Sequence, residues 1–410
     1  MNYEFPIINN ISDVLPAIEG RDEFVVAVKE GYTVINYNVM MADTFPDVLD
    51  SSDLRANHDH YEIENLHARI RRECRGIIFD TATGEILRRP FHKFFNVNER
   101  EETQDHVVDL SQEHRILEKL DGSMIAPFIV DDGILQMIWG TKMGATDVAK
   151  PVEKFVEEHS NYRQFAKFTI GRGYTPIFEW CSRKQRIVLD YREDQLILTG
   201  IRDMTTGRYM SHDLMEAHAE SYRIPVVRTW DIGLHMDNKT MSSFVNYVRD
   251  LEDVEGFVVR FSDGHMLKLK CDWYVQIHKA KEKILQDRNI VELILDEKLD
   301  DVKAHLPQED RDRLSQFESQ FNLAVADVVY HLANDLSWIR EDVIDRKTFA
   351  LEHAERYDQY MRALIFKNFE ELDHAKYWAD VRNTIRNNLT KTVKYEAIRD
   401  LWFPGVKYNA

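Results

Sequence analysis

Between about residues 75 and 275, apolar residues come in short runs separated by turn signals, the pattern of a β-rich region. Arg75 to Asp80, Met124 to Val130, Ile134 to Trp139, Ile177 to Trp180, Ile187 to Tyr191, Leu196 to Ile201 and Gly256 to Phe261 read as strands. Asp131-Asp132-Gly133 and Asp263-Gly264 stand between such runs, and Asp-Gly between apolar runs marks a hairpin. Adjacent hairpins imply mainly antiparallel sheets. After about residue 278 the period lengthens. Leu314, Phe317, Phe321, Val325, Val328, Leu332 and Leu336 recur every three or four positions, the stripe of one long amphipathic helix. Asp345 is placed to cap a further helix over 346–369, and glycine is absent between Gly264 and Gly405. The expected fold class is therefore α+β: an antiparallel-sheet domain over 1–280, then an all-α domain over 281–410. The first 70 residues are mixed and acidic, with one strand expected at Phe24 to Val28.

Two domains suit a chain of 410 residues, which exceeds what one core usually spans. No stretch of eighteen uncharged apolar residues occurs, so no membrane span is expected. The first residues lack a basic and apolar leader pattern, and Cys74, Cys181 and Cys271 form no CxxC pair. These features fit a reducing, cytoplasmic setting and exclude a disulfide scaffold. The formal net charge is −18, which excludes a uniformly basic nucleic-acid coat but not local phosphate sites. Charge is uneven: residues 1–60 hold eleven acidic and three basic side chains, residues 376–410 three acidic and seven basic.

No GxxxxGK[ST], GxGxxG or HExxH segment occurs, which disfavours P-loop, Rossmann and zincin chemistry. His58-Asp59-His60 reads as an exposed polar loop, since no third ligand has metal-site spacing. Glu118-Lys119-Leu120-Asp121-Gly122-Ser123 follows a strand-like run. Its lysine is either a nucleophile beside a glycine turn or a solvated hairpin residue. Glu179 sits inside an apolar strand and Glu255 opens another; an unpaired buried carboxylate is costly and asks for a partner. In Leu267-Lys268-Leu269-Lys270 the strand period of two puts both lysines on one face. That pair either receives a polyphosphate or is solvated.

The order of these segments resembles the covalent nucleotidyltransferases, and within them the T4 RNA ligase 1-like family. Lys119-Leu120-Asp121-Gly122-Ser123 is similar to that family's KxDGS motif. Phe178-Glu179, Glu255-Gly256-Phe257 and Leu267-Lys268-Leu269-Lys270 with Cys271-Asp272-Trp273-Tyr274 resemble the motifs that follow. Arg75-Gly76 and Lys93-Phe94-Phe95-Asn96 resemble upstream elements of the same branch. The resemblance covers about residues 70 to 280 and makes residues 1–70 a family-variable part. It implies a nucleotidyltransferase domain and ATP-dependent joining of RNA 5′-phosphate and 3′-hydroxyl ends through lysyl-AMP and RNA-adenylate. Lys119 is then the nucleophile, assisted by Lys268 and Lys270. Phosphate or nucleotide contacts fall to Arg75, Lys93, Asp121, Gly122 and Lys142. Glu179 and Glu255 would meet Mg²⁺ (or Mn²⁺), directly or through water. Lys268 and other cations would lower the Lys119 pKa, and Phe95 either stacks or belongs to the core.

The implied partner is RNA, including tRNA, bound by a monomer. Arg69, Arg71 and Arg72 read equally as RNA contacts or as a charged structural element. Arg382, Arg386, Lys391 and Lys394 among Tyr377, Trp378, Tyr395 and Trp402 fit helix packing better than RNA binding. The helical domain is a candidate RNA-specificity module. Competing readings are a DNA ligase or capping guanylyltransferase, and a catalytically silent RNA-binding protein. The first two usually carry a β-barrel where this chain turns helical. The intact Lys119, Glu179, Glu255 and Lys268 oppose the last.

Overall fold

A computed structural model describes residues 3–41, 43–48, 58–131, 133–184, 187–231, 240–342, 344–370 and 373–408, the side chains of 58–61 excepted. The chain divides into two compact units, Met1–Val275 and Gln276–Ala410.

The first unit holds three sheets. One consists of β1 (Phe24–Val28), β2 (Tyr32–Tyr37), β3 (Arg75–Asp80) and β4 (Ile86–Arg88) in sequence order. The other strands are β5 (Phe95–Asn96), β6 (His114–Glu118), β7 (Ser123–Asp131), β8 (Leu135–Gly140), β9 (Tyr174–Cys181) and β10 (Gln195–Asp203). They continue with β11 (Thr229–Trp230), β12 (Gly256–Phe261) and β13 (Met266–Lys270). The second sheet runs β10-β9-β7-β8 and the third β11-β6-β12-β13-β5. All pairings are antiparallel except β13 with β5. The Asp263-Gly264 turn joins β12 to β13 in register, Val258 opposite Lys268. The other hairpin turn joins β7 to β8, with its Asp132 outside the described residues.

The acidic first 70 residues are not an appendage. Besides the expected β1 they supply β2, which pairs with β3 and so completes the first sheet. Helix His58–Glu73 follows. His58-Asp59-His60 therefore lies in a helix, not a loop, and its side chains are outside the described residues. The arginines near the end of this helix resolve towards structure. Arg71 donates to the Ala17 carbonyl, Arg72 pairs with Glu102 at 2.8 Å, and Arg69 pairs with Glu4. Glu73 is fully buried between Arg89 (3.1 Å) and Arg202 (2.7 Å). The two guanidiniums hold the Glu73 carboxyl below its usual range against the upward pressure of burial. Arg88, also buried, donates to the carbonyls of Gly76, Ala126, Gly140 and Thr141. It thereby pins the first two sheets together, and desolvation pushes it down to about 9.

Ile187 to Tyr191 is not a strand. The N–H groups of Val188 and Leu189 bond the Asp121 carboxylate instead of a neighbouring strand, both at 2.7 Å.

In the second unit the expected stripe is the buried face of helix Gln308–Glu341. Helices Asp287–Leu295, Gln359–Lys367, His374–Asn388 and Thr392–Trp402 contribute to the same core. Asp345 does cap a helix, but 346–369 is not continuous. Asp358 accepts the Tyr360 and Met361 N–H groups and starts a new helix there. Arg382 and Arg386 donate to the Leu295 carbonyl at a helix C-terminus, where cations are favoured. Tyr377, Tyr395 and Trp402 are buried, so most of the basic and aromatic mixture in the tail is packing.

Replacing Glu73 with Gln leaves two buried guanidiniums without a counter-charge. A loss of about 3–5 kcal/mol is expected from denaturant unfolding followed on the first unit.

Candidate active site

The third sheet positions the site. Lys119 follows the last residue of β6, and its N–H donates to the Gly256 carbonyl at 2.9 Å. Across β12, Gly256 pairs with Lys270 on β13. Gly256 has φ +142°, and a Cβ there would collide with the Leu269 carbonyl. The glycine therefore lets three strands close up so that Glu255 lies between two lysines. Its Oε1 is 2.6 Å from Lys119 Nζ and 2.9 Å from Lys270 Nζ. Gly122 permits a second close approach, since a Cβ there would meet the Trp180 carbonyl beside Glu179.

Lys119, Lys270, Gly122 and Glu179, but not Glu255, line a cavity of about 610 Å³. The structure brings Arg75, Lys93, Lys119, Gly122, Lys142, Glu179, Lys268 and Lys270 to its wall. Among the described residues, the side chains of Arg75, Lys93, Lys142 and Lys268 make no hydrogen bond or ion pair. Burial, then Lys93 and Arg75, pushes Lys268 down to about 7. Burial lowers Lys93 too, with Arg75, Arg100 and Lys142 adding to it. Lys142 is lowered by burial and Arg75. Lys119, unlike these three lysines, has a carboxylate partner in Glu255.

Glu179 faces the same cavity from β9. Its carboxyl is pushed up to about 7, chiefly by burial, with Glu255 adding and Lys119 opposing. Glu179 and Glu255 differ in kind: the first has no hydrogen-bond partner among the described residues, the second holds two ammonium groups. No cluster of three His, Cys, Asp or Glu groups able to hold a metal occurs among the described residues. The donor set suits a hard cation bound by one carboxylate and completed by phosphate oxygens and water, the usual manner of Mg²⁺.

Asp121 does not reach the cavity wall. It is buried, and its oxygens accept from Val188, Leu189 and the Tyr274 hydroxyl, the last at 2.7 Å. These bonds tie the turn that carries Lys119 to the Val188–Leu189 segment and to Tyr274. Phe95 is core at 2% exposure, and its neighbour Phe94 lines the cavity beside Lys268 and Arg75. Tyr37, Phe91, Leu117, Thr199, Val227 and Val258 also line it and were not singled out from sequence. The lysine in the 93–96 segment marked the neighbourhood of Phe91 and Phe94, whereas Tyr37 carried no local signal.

Lys119, paired with a buried carboxylate, thus shares a cavity with four cations that make no hydrogen bond or ion pair among the described residues. The comparisons specify the class. Residues 73–274 match the family model of T4 RNA ligase 1-like proteins, described as RNA ligase. A Thermovibrio ammonificans protein named as a candidate RNA ligase is 30% identical over 246 residues, covering 57% of this chain and 61% of that protein. RNA ligase 1 of bacteriophage TS2126 is 28% identical over 238 residues, covering 56% and 57%. The chain thus spans about three-fifths of the length of these curated relatives. An archaeal ATP-dependent RNA ligase structure is similar with a TM-score of 0.40 and 15% identity, covering 68% of this chain and 64% of that one. A Naegleria gruberi RNA ligase mutant with ATP and manganese has a TM-score of 0.34 and 16% identity, covering 41% and 52%. Residues 73–274, about half of the chain, are thus similar to the T4 RNA ligase 1-like family.

The Glu179 shift gives a testable pH dependence. A carboxyl raised from 4.5 to about 7 favours the acid form in the fold. That contribution to stability is full below the unfolded pKa and is lost as pH rises through about 7. Glu179→Gln should therefore melt a few degrees above the parent at pH 8, with the gain shrinking to nothing towards pH 4.5, by differential scanning fluorimetry without nucleotide.

Proposed function

We propose that the protein is an ATP-dependent RNA ligase that joins 5′-phosphate and 3′-hydroxyl ends. The observation that carries the proposal is the Lys119–Glu255 pair set in a wall of cations that lack partners. Unpaired buried cations are costly, and a bound triphosphate would supply the missing charge.

In the first step Lys119 Nζ loses a proton, with Glu255 Oε1 the acceptor at 2.6 Å, and attacks the α-phosphorus of ATP. A phosphorus–nitrogen bond forms as the bond to pyrophosphate breaks. Lys268 and Lys270 share the cavity-facing side of β13 and stabilise charge developing on the α-phosphate. Arg75, Lys93 and Lys142 take the leaving phosphates. Glu179 would hold a divalent cation against the phosphates, which would add charge neutralisation for phosphoryl transfer. In the second step an RNA 5′-phosphate oxygen displaces Lys119 from phosphorus and gives RNA-adenylate. In the third the 3′-hydroxyl attacks the activated 5′-phosphate and AMP leaves. RNA repair is the setting this activity serves, with tRNA among the substrates and the helical unit after Val275 selecting among them.

Incubation with α-labelled ATP and Mg²⁺ should leave label on the protein. Lys119→Ala should abolish it, and Lys268→Ala should reduce it at least tenfold with an unchanged circular dichroism spectrum. Undiminished labelling of Lys119→Ala would overturn the assignment of the nucleophile.

A further inference from the structure

The cationic wall does not end at the cavity. Phe95, just beneath it, carries three cations: Arg100 Cζ lies 4.9 Å from the ring centroid, Lys93 Nζ 5.0 Å and Arg72 Cζ 5.2 Å. They differ in what else they touch. Arg72 is paired with Glu102, and Lys93 lines the cavity. Arg100 does neither. Its main chain closes the turn after β5 through Thr103 and Gln104, and its guanidinium makes no hydrogen bond or ion pair among the described residues. It is half-buried and outside the residues that line the cavity.

We propose that Arg100 holds a backbone phosphate of the RNA strand whose 5′ end is being activated, a contact made outside the nucleotide cavity. The inference rests on the ligase reading above. Once pyrophosphate has left, only the single phosphate on Lys119 remains, and Arg75, Lys93 and Lys142 again lack a counter-charge. The anion that next occupies them is the 5′-terminal phosphate. The phosphodiester that follows must leave the cavity, and Arg100 is the cation that shares an aromatic platform with Lys93. A guanidinium laid on a buried ring is held in advance, with its planar fork of donors left for phosphate oxygens. Arg100 also adds to the field that lowers Lys93, so an anion at Arg100 relieves a repulsion already present.

The test separates the steps in the full-length protein. Arg100→Ala and Arg100→Gln should form lysyl-AMP from α-labelled ATP at the parental rate. Transfer of AMP from the labelled enzyme to a 5′-phosphorylated oligoribonucleotide should fall about tenfold, with a salt dependence shallower by about one phosphate contact. Transfer to a nucleoside 5′-phosphate, which has no following phosphodiester, should be unchanged. Equal loss on both acceptors, loss of lysyl-AMP formation, or full transfer to the oligonucleotide would each overturn the role of Arg100. A parent protein that never becomes labelled defeats the ligase reading itself. A parent that labels and seals, beside variants that seal equally well, defeats only the present inference.

Discussion

One carboxylate oxygen organises the site. Glu255 Oε1 holds Lys119 from β6 and Lys270 from β13, and it can do so because β12 runs between those strands with a glycine at the point of closest approach. The register of the third sheet then determines the rest. Val258 opposite Lys268 places that lysine two residues along the same face, and parallel pairing of β5 sets Asn96 beside Lys268. The segment carrying Lys93 and Phe94 is thereby brought to the edge of the same floor. A shift of one residue in β13 would turn both lysines into the core.

The same arrangement is electrostatically expensive. Lys268 is driven towards neutrality and Glu179 towards its acid form, each by burial without a partner in direct contact. Elsewhere in the unit, Glu73 is satisfied by two guanidiniums and Arg88 by four carbonyls. The contrast is physical evidence for a ligand. A fold able to pair its buried charges near Glu73 leaves Arg75, Lys93, Lys142 and Lys268 without a hydrogen bond or ion pair among the described residues, and perturbed groups such as Lys268 and Glu179 concentrate where chemistry occurs.

Much of this was legible in the chain. Strict alternation in 267–270 fixed the common face of two lysines, Asp-Gly marked the β12–β13 hairpin, and the stripe from Leu314 to Leu336 is buried as its spacing requires. What stayed hidden is non-local. Nothing near Glu255 signals that it will meet Lys119, and nothing near Asp121 signals the backbone segment that wraps it and so prevents Ile187 to Tyr191 from pairing as a strand. Arg69, Arg71 and Arg72 look like a nucleic-acid patch in one dimension, yet they contact Glu4, the Ala17 carbonyl and Glu102. Phe94 and Phe95 are indistinguishable by type, and strand alternation alone sends one to the cavity and the other to the core. β2, which pairs with β1 across a short turn and with β3 beyond a helix, was not read from the sequence.

The central claim is that a single amine, tethered to Glu255, becomes bonded to a nucleotide phosphorus. It is tested most directly by digesting protein that has been incubated with ATP and Mg²⁺ and sequencing its peptides by tandem mass spectrometry. The account predicts an acid-labile AMP adduct on Lys119 alone, removed on addition of pyrophosphate. An adduct on another lysine, or no adduct in protein that nevertheless seals RNA, would contradict it.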